Sequence, residues 1–168
     1  MHYKSAGRYL QRDPTDVSAT GGTNWKKYLP PYSTGNVTVV GALTVNGLEA
    51  VMALDGALNE ASFAAYLDHV LGPTLVPGDV VVLDNLRIHQ MDGMAERVEA
   101  YGARLLFLPP YSPDFSPIEL AWSNLKTALR TTQARTRQAL SDALTQAWGW
   151  ITKTDAQNWF AHCGYHVH

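Results

Sequence analysis

Two short apolar runs constrain this chain more than any other feature. Residues 79–83 read DVVVL and residues 104–108 read RLLFL. Each is too short for a helix, and neither shows the polar–apolar alternation of a strand with one wet face. A continuous apolar strand has to be covered on both faces. Between the two runs, residues 92–101 carry a helical pattern closed by Gly102. After the second, a helix is predicted from Ser116-Pro117 to about Arg130. Strand, helix, strand, helix in that order implies a parallel portion of sheet with helices packed on its faces.

The flanking sequence fits around that unit. NVTVVGALTVNGLEAVMALDG reads as two strands joined at Asn46-Gly47, a strong hairpin signal that makes the sheet mixed. Asn59 is placed to cap a helix running to about Leu71, with Phe63, Tyr66, Leu67 and Val70 as its apolar stripe and Gly72-Pro73 as its stop. Two more helical stretches are predicted at about 136–150 and 155–161. Residues 1–35 are polar and broken by Asp13-Pro14, Gly21-Gly22 and Pro30-Pro31, so no strand or helix is predicted there. Trp25, Tyr28 and Tyr32 nevertheless suggest that this segment lies against something. The chain thus divides into a loop-rich segment, 1–35, and a folded α/β body, 36–168.

With 168 residues the chain is long enough for one domain with a real core. Its net charge of -2 is a poor footprint for a protein that grips nucleic acid with its whole surface, so any such contact is expected to be local. No run is long enough to cross a membrane and no secretory leader is visible. Cys163 is the only cysteine, which excludes an intrachain disulfide and makes a reducing cytoplasm the expected compartment.

In a sheet of this kind, chemistry gathers beyond the carboxyl ends of the strands. Asp84 stands there, in LDNLRIHQ, followed by Asn85 and His89. An Asp and an Asn at that point also make a good turn, because both accept local backbone hydrogen bonds. Glu119 has its own bland account. Ser116-Pro117-Ile118-Glu119 is a capping box, with Ser as N-cap and Glu three residues on. Along the same helix Ile118, Ala121, Trp122, Leu125 and Leu129 form the apolar stripe. Glu119, Ser123, Lys126 and Arg130 form an adjoining polar one. A carboxylate at one end with cations further along would suit a metal site beside a phosphate track; a solvated face with weak ion pairs is the plainer alternative.

Taken together, VVVLDNLRIHQ, GARLLFLPPYSPDFSPIELAWSNLK and NWFAHCGY closely resemble the DDE catalytic domain of mariner-superfamily transposases, in their bacterial insertion-sequence branch. TVVGALTVNGLEAVMALDG fits as that family's second and third strands. The resemblance spans about residues 36–166, and PPYSPDFSPIE is its most specific part. Asp84 and Glu119 are separated by 34 residues, a spacing characteristic of that superfamily. The resemblance implies an α/β, ribonuclease-H-like mixed sheet with flanking helices. It implies DNA strand cleavage and strand transfer in transposition, with three carboxylates holding two Mg²⁺ or Mn²⁺ ions. Asp84 would be the second acid and Glu119 the third. Asn85 and His89 match the family's DN…H pattern, orienting Asp84 or touching DNA, and Ser123, Lys126 and Arg130 would line a DNA path. Transposon ends and target DNA are the implied partners, with a homodimer or a mixed dimer with a full-length transposase.

One expected part is missing. The family's first Asp ends its central strand about forty residues before the GAL motif, which here is Gly41-Ala42-Leu43. No apolar run precedes any early Asp. Asp13 and Asp16 sit in polar sequence. Asp55 follows a strand expected to run antiparallel to that of Asp84, with its end pointing away. The chain is therefore read as a truncated domain lacking the central strand and the upstream DNA-recognition region. It is expected to be inactive by itself; the alternative is a non-catalytic module that binds DNA or an intact transposase as an inhibitor.

The remaining signals are weaker. HCGYHVH offers His162, Cys163, His166 and His168, but structural zinc wants two spaced ligand pairs and only one cluster is present. Lys26 and Lys27 could touch a DNA backbone, though a solvated loop explains them as well. The tryptophans of the C-terminal half are expected mostly in the core.

Overall fold

The computed structural model of the chain describes residues 3–11, 37–132, 142, 146 and 149–165, with backbone alone for 3–11, 37, 55, 88 and 128–132. Five strands form one sheet in the order β3-β2-β1-β4-β5. They are β1 (Tyr3–Gln11), β2 (Val37–Thr44), β3 (Gly47–Asp55), β4 (Val80–Leu83) and β5 (Arg104–Phe107). β2 pairs antiparallel with β1 and β3, and β4 pairs parallel with β1 and β5. Among the described residues the α-helices are α1 (Glu60–Tyr66), α2 (Met94–Glu99), α3 (Pro117–Thr132) and α4 (Lys153–His162). The mixed sheet with flanking helices is the one the sequence implied.

The central strand is where expectation and structure part. Tyr3–Gln11 lies in the segment read as loop, yet it forms β1 and fills the middle of the sheet. YKSAGRYLQ lacks the continuous apolar run that marks a two-face-covered strand, so no local pattern announces it. Ladders to β2 on one side and β4 on the other supply what propensity does not, since strand preference depends strongly on neighbours. A second correction follows from the same topology. Two antiparallel steps make β3 run parallel to β1, and hence to β4. Asp55 therefore ends its strand on the same rim as Asp84. It is still three strands away, roughly 14 Å at normal strand spacing, and so is no substitute for a neighbouring acid. Asp13, Asp16, Lys26 and Lys27 lie outside the described residues.

The alternation along β2 splits the core in two. Val39 and Leu43 face α3 and α4, where they meet Ile118, Trp122, Leu125 and Phe160. Val40 and Ala42 face the other way, with Val81 and Leu83 of β4, against Phe63, Tyr66, Leu71, Met94 and Val98. The helix from Asn59 forms as expected. The Asn59 side chain accepts from the Ser62 amide, and α1 then continues through a π-helical turn, Leu67–Leu71, into a 3-10 turn at Gly72–Thr74. Thr152 and Asp155 make the corresponding box for α4. The stretch 136–150 lies mostly outside the described residues. RLLFL does form a strand, but β5 is at an edge, and Leu106 and Phe107 are exposed rather than buried. Trp122 is in the core, whereas Trp150 is half in water. No helix among the described residues is long and apolar enough to cross a membrane.

Gly41 of the GAL motif has a packing reason. A Cβ built there would stand 3.3 Å from both Trp122 Cη2 and Val51 Cγ2. The indole of α3 lies so close over β2 at this point that a methyl there would make its neighbours give by a few tenths of an ångström. Gly41→Ala should destabilise the fold by about 1–3 kcal/mol through overpacking. Denaturant midpoints test this; the double variant Gly41→Ala/Val51→Ala should recover part of the loss by opening room beside the new methyl.

Candidate active site at the carboxyl rim of the sheet

β4 ends at Leu83 and Asp84 follows, half-buried, at the rim. Two groups hold its Oδ1. The Leu86 amide donates to it across 3.3 Å, and His89 Nδ1 lies 2.5 Å away. The same nitrogen is 3.3 Å from the Asp84 carbonyl. Both neighbours are acceptors, so Nδ1 carries the proton. The turn reading of Asp84 holds, and the turn bonds use one oxygen. His89 is brought back by the 3-10 turn Arg87–Gln90, is 1% exposed, and packs its ring on Phe63 at 4.6 Å. Its orientation is therefore fixed by core packing. Asn85 is exposed, and its Oδ1 accepts from Gln90 Nε2.

β5 leads directly into the second half of the rim. The Leu108 amide donates to the Leu83 carbonyl, 2.8 Å, extending the parallel ladder by one bond before Pro109-Pro110 ends it. Tyr111 then turns with φ 57°, a 3-10 turn follows at Pro113–Phe115, and α3 begins at Pro117. Glu119 stands in the first turn of α3. Asp84 and Glu119 line one cleft of about 430 Å³, bounded by 84–87 on one lip and 108–113 on the other. Partial withdrawal from water raises the Glu119 carboxyl above its ordinary range. Lys126, two helical turns on, pulls it back, and the charge on Asp84 pushes it up further. Chain-distant acids are thus close enough to repel each other.

The other expected site residues fall as follows. Ser123 is exposed on α3 and its carbonyl accepts from Thr127 Oγ1. Lys126 is half-buried on the same helix. Arg130 belongs to α3, but its side chain is outside the described residues. The central strand brings no acid. Ala6 pairs with Leu83, so the next residue, Gly7, comes level with Asp84, and YKSAGRYLQ contains no carboxylate. Among the described residues no group of three His, Cys, Asp or Glu side chains is placed to hold a metal ion. His166 and His168 of the tail lie outside the described residues; Cys163 is buried, its thiol pushed up by burial and by Asp114.

Sequence reasoning missed what the tail does. Tyr165 packs edge-on against Phe160, and its hydroxyl donates to the Phe115 carbonyl across 2.8 Å. The terminal NWFAHCGY motif is thereby tied to PPYSPDFSP, 50 residues earlier. Co-occurrence of the two motifs was the available signal, because a rigid loop on an open rim needs a buttress.

Residues 10–141 match the family described as DDE superfamily endonuclease, and the chain belongs to it. No curated protein matches. Among solved structures, the Mos1 strand transfer complex is similar at TM-score 0.66 and 13% identity, covering 96% of this chain and 51% of that one. The catalytic domain of Mos1 mariner transposase is similar at TM-score 0.64 and 12% identity, over 99% of this chain and 84% of that one. A structure of the Mos1 catalytic domain and Raltegravir with Mg matches at TM-score 0.64 and 12% identity, over 99% and 85%. The fold is ribonuclease-H-like. The chain spans about half the length of the first of these structures.

Two substitutions test this geometry. Asp84→Asn should move the Glu119 midpoint down, because a charge that raises it is gone; carboxyl-carbon NMR titration reads the shift, and an unmoved midpoint would separate the two acids. An acid raised in the folded state contributes stability that is present at low pH and lost as pH rises through its folded midpoint. The Asp84→Asn variant should therefore lose less stability over that window than the wild type. Tyr165→Phe should cost about 1 kcal/mol and speed amide exchange at residues 113–116, with little change in β4.

Proposed function

We propose that this chain supplies the catalytic fold of a DNA transposase, a domain whose chemistry is cleavage and joining of phosphodiester strands at transposon ends and target DNA. The observation that carries the reading is the pairing of Asp84 with Glu119 in one cleft at the carboxyl rim of a DDE-family sheet. DNA is the partner on the same ground, and an oligomer, either a homodimer or a mixed dimer with an intact transposase, is the proposed assembly.

Mg²⁺ or Mn²⁺ is the proposed cofactor. Hard divalent cations take oxygen ligands, and two carboxylates lining one cleft, with Glu119 raised partly by the charge on Asp84, fit one such ion. When bound, the ion would activate a water or 3′-hydroxyl and stabilise the leaving oxygen. Asp84 holds its Oδ1 against His89 and Leu86, which leaves Oδ2 for a cation. His89 acts through Asp84 as a positioning residue. Its buried ring cannot swing away, so the carboxylate is oriented before any ligand arrives. Asn85 flanks the same lip. Ser123, Lys126 and Arg130 are proposed to follow the DNA backbone along α3.

The empty position on β1 sets a limit. With Gly7 beside Asp84, no bridging ligand for a second ion stands on β1 among the described residues. We infer that the isolated chain binds one ion and does not turn over DNA. That same gap favours the second reading, a non-catalytic module that pairs with an intact transposase.

Mn²⁺ binding followed by electron paramagnetic resonance tests both parts. Asp84→Asn and Glu119→Gln should each abolish measurable binding, and His89→Ala should weaken it about ten-fold. Gly7→Asp should tighten it. Binding indifferent to Asp84→Asn and Glu119→Gln would remove the basis of the site, and wild-type plasmid nicking lost in Asp84→Ala would overturn the inference of inactivity.

A further inference from the structure

We propose that Tyr111 is a stacking platform for an unpaired nucleobase at the mouth of the acid-lined cleft, with Arg87 on the facing lip as its cationic partner. The proposal rests on the reading of the cleft as a DNA site and adds the state of the DNA that it holds.

Tyr111 is 102% exposed, so its ring touches nothing of its own fold. Large aromatic rings are normally spent on burial, and one left wholly in water at a cleft is available to a ligand. Its backbone is also unusual. A φ of 57° is left-handed, which bulky residues avoid and Gly or Asn would occupy without strain. The turn would form more easily with either of those residues, so turn-making does not account for the tyrosine.

The ring stands on a stiff stem. Pro109 and Pro110 precede it, the Ser112 hydroxyl donates to the Pro110 carbonyl across 3.3 Å, and the turn Pro113–Phe115 follows. Tyr165 pins that turn through the Phe115 carbonyl. Little backbone freedom is lost when a ligand settles on a ring presented this way. Across the cleft, Leu86 is 39% exposed and Arg87 is exposed. Both line the same space as Tyr111, Asp84 and Glu119. An aromatic face, an apolar side chain and a guanidinium around one cleft suit a flat base and its phosphate. The base must be unpaired. Within a duplex both its faces are already stacked on neighbours, so a protein ring can reach it only at an end, a nick or a flipped position.

The test uses the full chain and two short DNA duplexes in Ca²⁺. One is blunt; the other has a single-stranded overhang with 2-aminopurine at its first unpaired position. The wild type should bind the overhang about five- to hundred-fold more tightly than the blunt duplex and change the 2-aminopurine emission on binding. Tyr111→Phe should keep both effects. Tyr111→Ala and Tyr111→Asn should lose them and keep the blunt-duplex affinity; Asn tolerates the left-handed backbone, so its loss reports the ring rather than the turn. Equal affinity of the wild type for the two duplexes, or an overhang preference that survives Tyr111→Asn, overturns the proposal while leaving the DNA reading intact. A Tyr111→Asn variant that keeps the preference and changes sedimentation instead assigns the ring to a protein contact, which also overturns it. Failure to bind either duplex overturns the DNA reading, and this proposal with it.

Discussion

The parallel pairing of β4 with both neighbours is the constraint from which the rest follows. Val80 to Leu83 ladder onto β1 on one side and β5 on the other, and all four are buried. Because the strands run the same way, the loops leaving β4 and β5 emerge at one rim. The extra bond from the Leu108 amide to the Leu83 carbonyl keeps them together for one more residue. Asp84 begins one loop, and the other leads within eleven residues of Leu108 to Glu119. The meeting of the two acids is thus a property of the ladder, and nothing in either loop needs to reach far.

Local rules then decide which atoms are available. The Asx-type turn at Asp84 and the buried His89 both act on Oδ1, so the turn and the site share one carboxylate without competing for the same oxygen. Glu119 is treated differently. It is raised by partial burial and by Asp84, with Lys126 opposing. One acid is held in place by hydrogen bonds, whereas the other is left under electrostatic load. A cation between them would relieve that load, and the proposed metal reading draws on this.

Legibility in the sequence followed periodicity. DVVVL, the Asn46-Gly47 hairpin and the Asn59 cap each state their structure locally, and each forms. Asp84, Asn85, His89 and Glu119 were singled out by their spacing and by the PPYSPDFSPIE block, and the structure brings Asp84, Asn85 and Glu119 to one cleft with His89 against Asp84. β1 was missed because YKSAGRYLQ is ordered by its neighbours and carries no pattern of its own. The direction of β3 was misjudged for a related reason. Strand polarity depends on how many antiparallel steps separate two strands, and with β1 unseen one step was not counted. The exposure of Leu106 and Phe107 is the same kind of error, since an apolar run cannot state whether its strand lies at an edge.

The unseen strand matters most for the chemistry. A sheet of this order sets the residue of β1 level with Asp84 next to the acid pair, and here that residue is Gly7. The backbone that would carry a bridging carboxylate is thus present without the carboxylate. Loss of the whole strand would have left β2 and β4 with unpaired edges and put folding itself in doubt. Loss of one side chain leaves the sheet closed and the rim shaped, with Asp84 still held by His89. On the proposed metal reading, what β1 lacks beside Asp84 is a side chain and not a strand, and the fold need not be rebuilt around it.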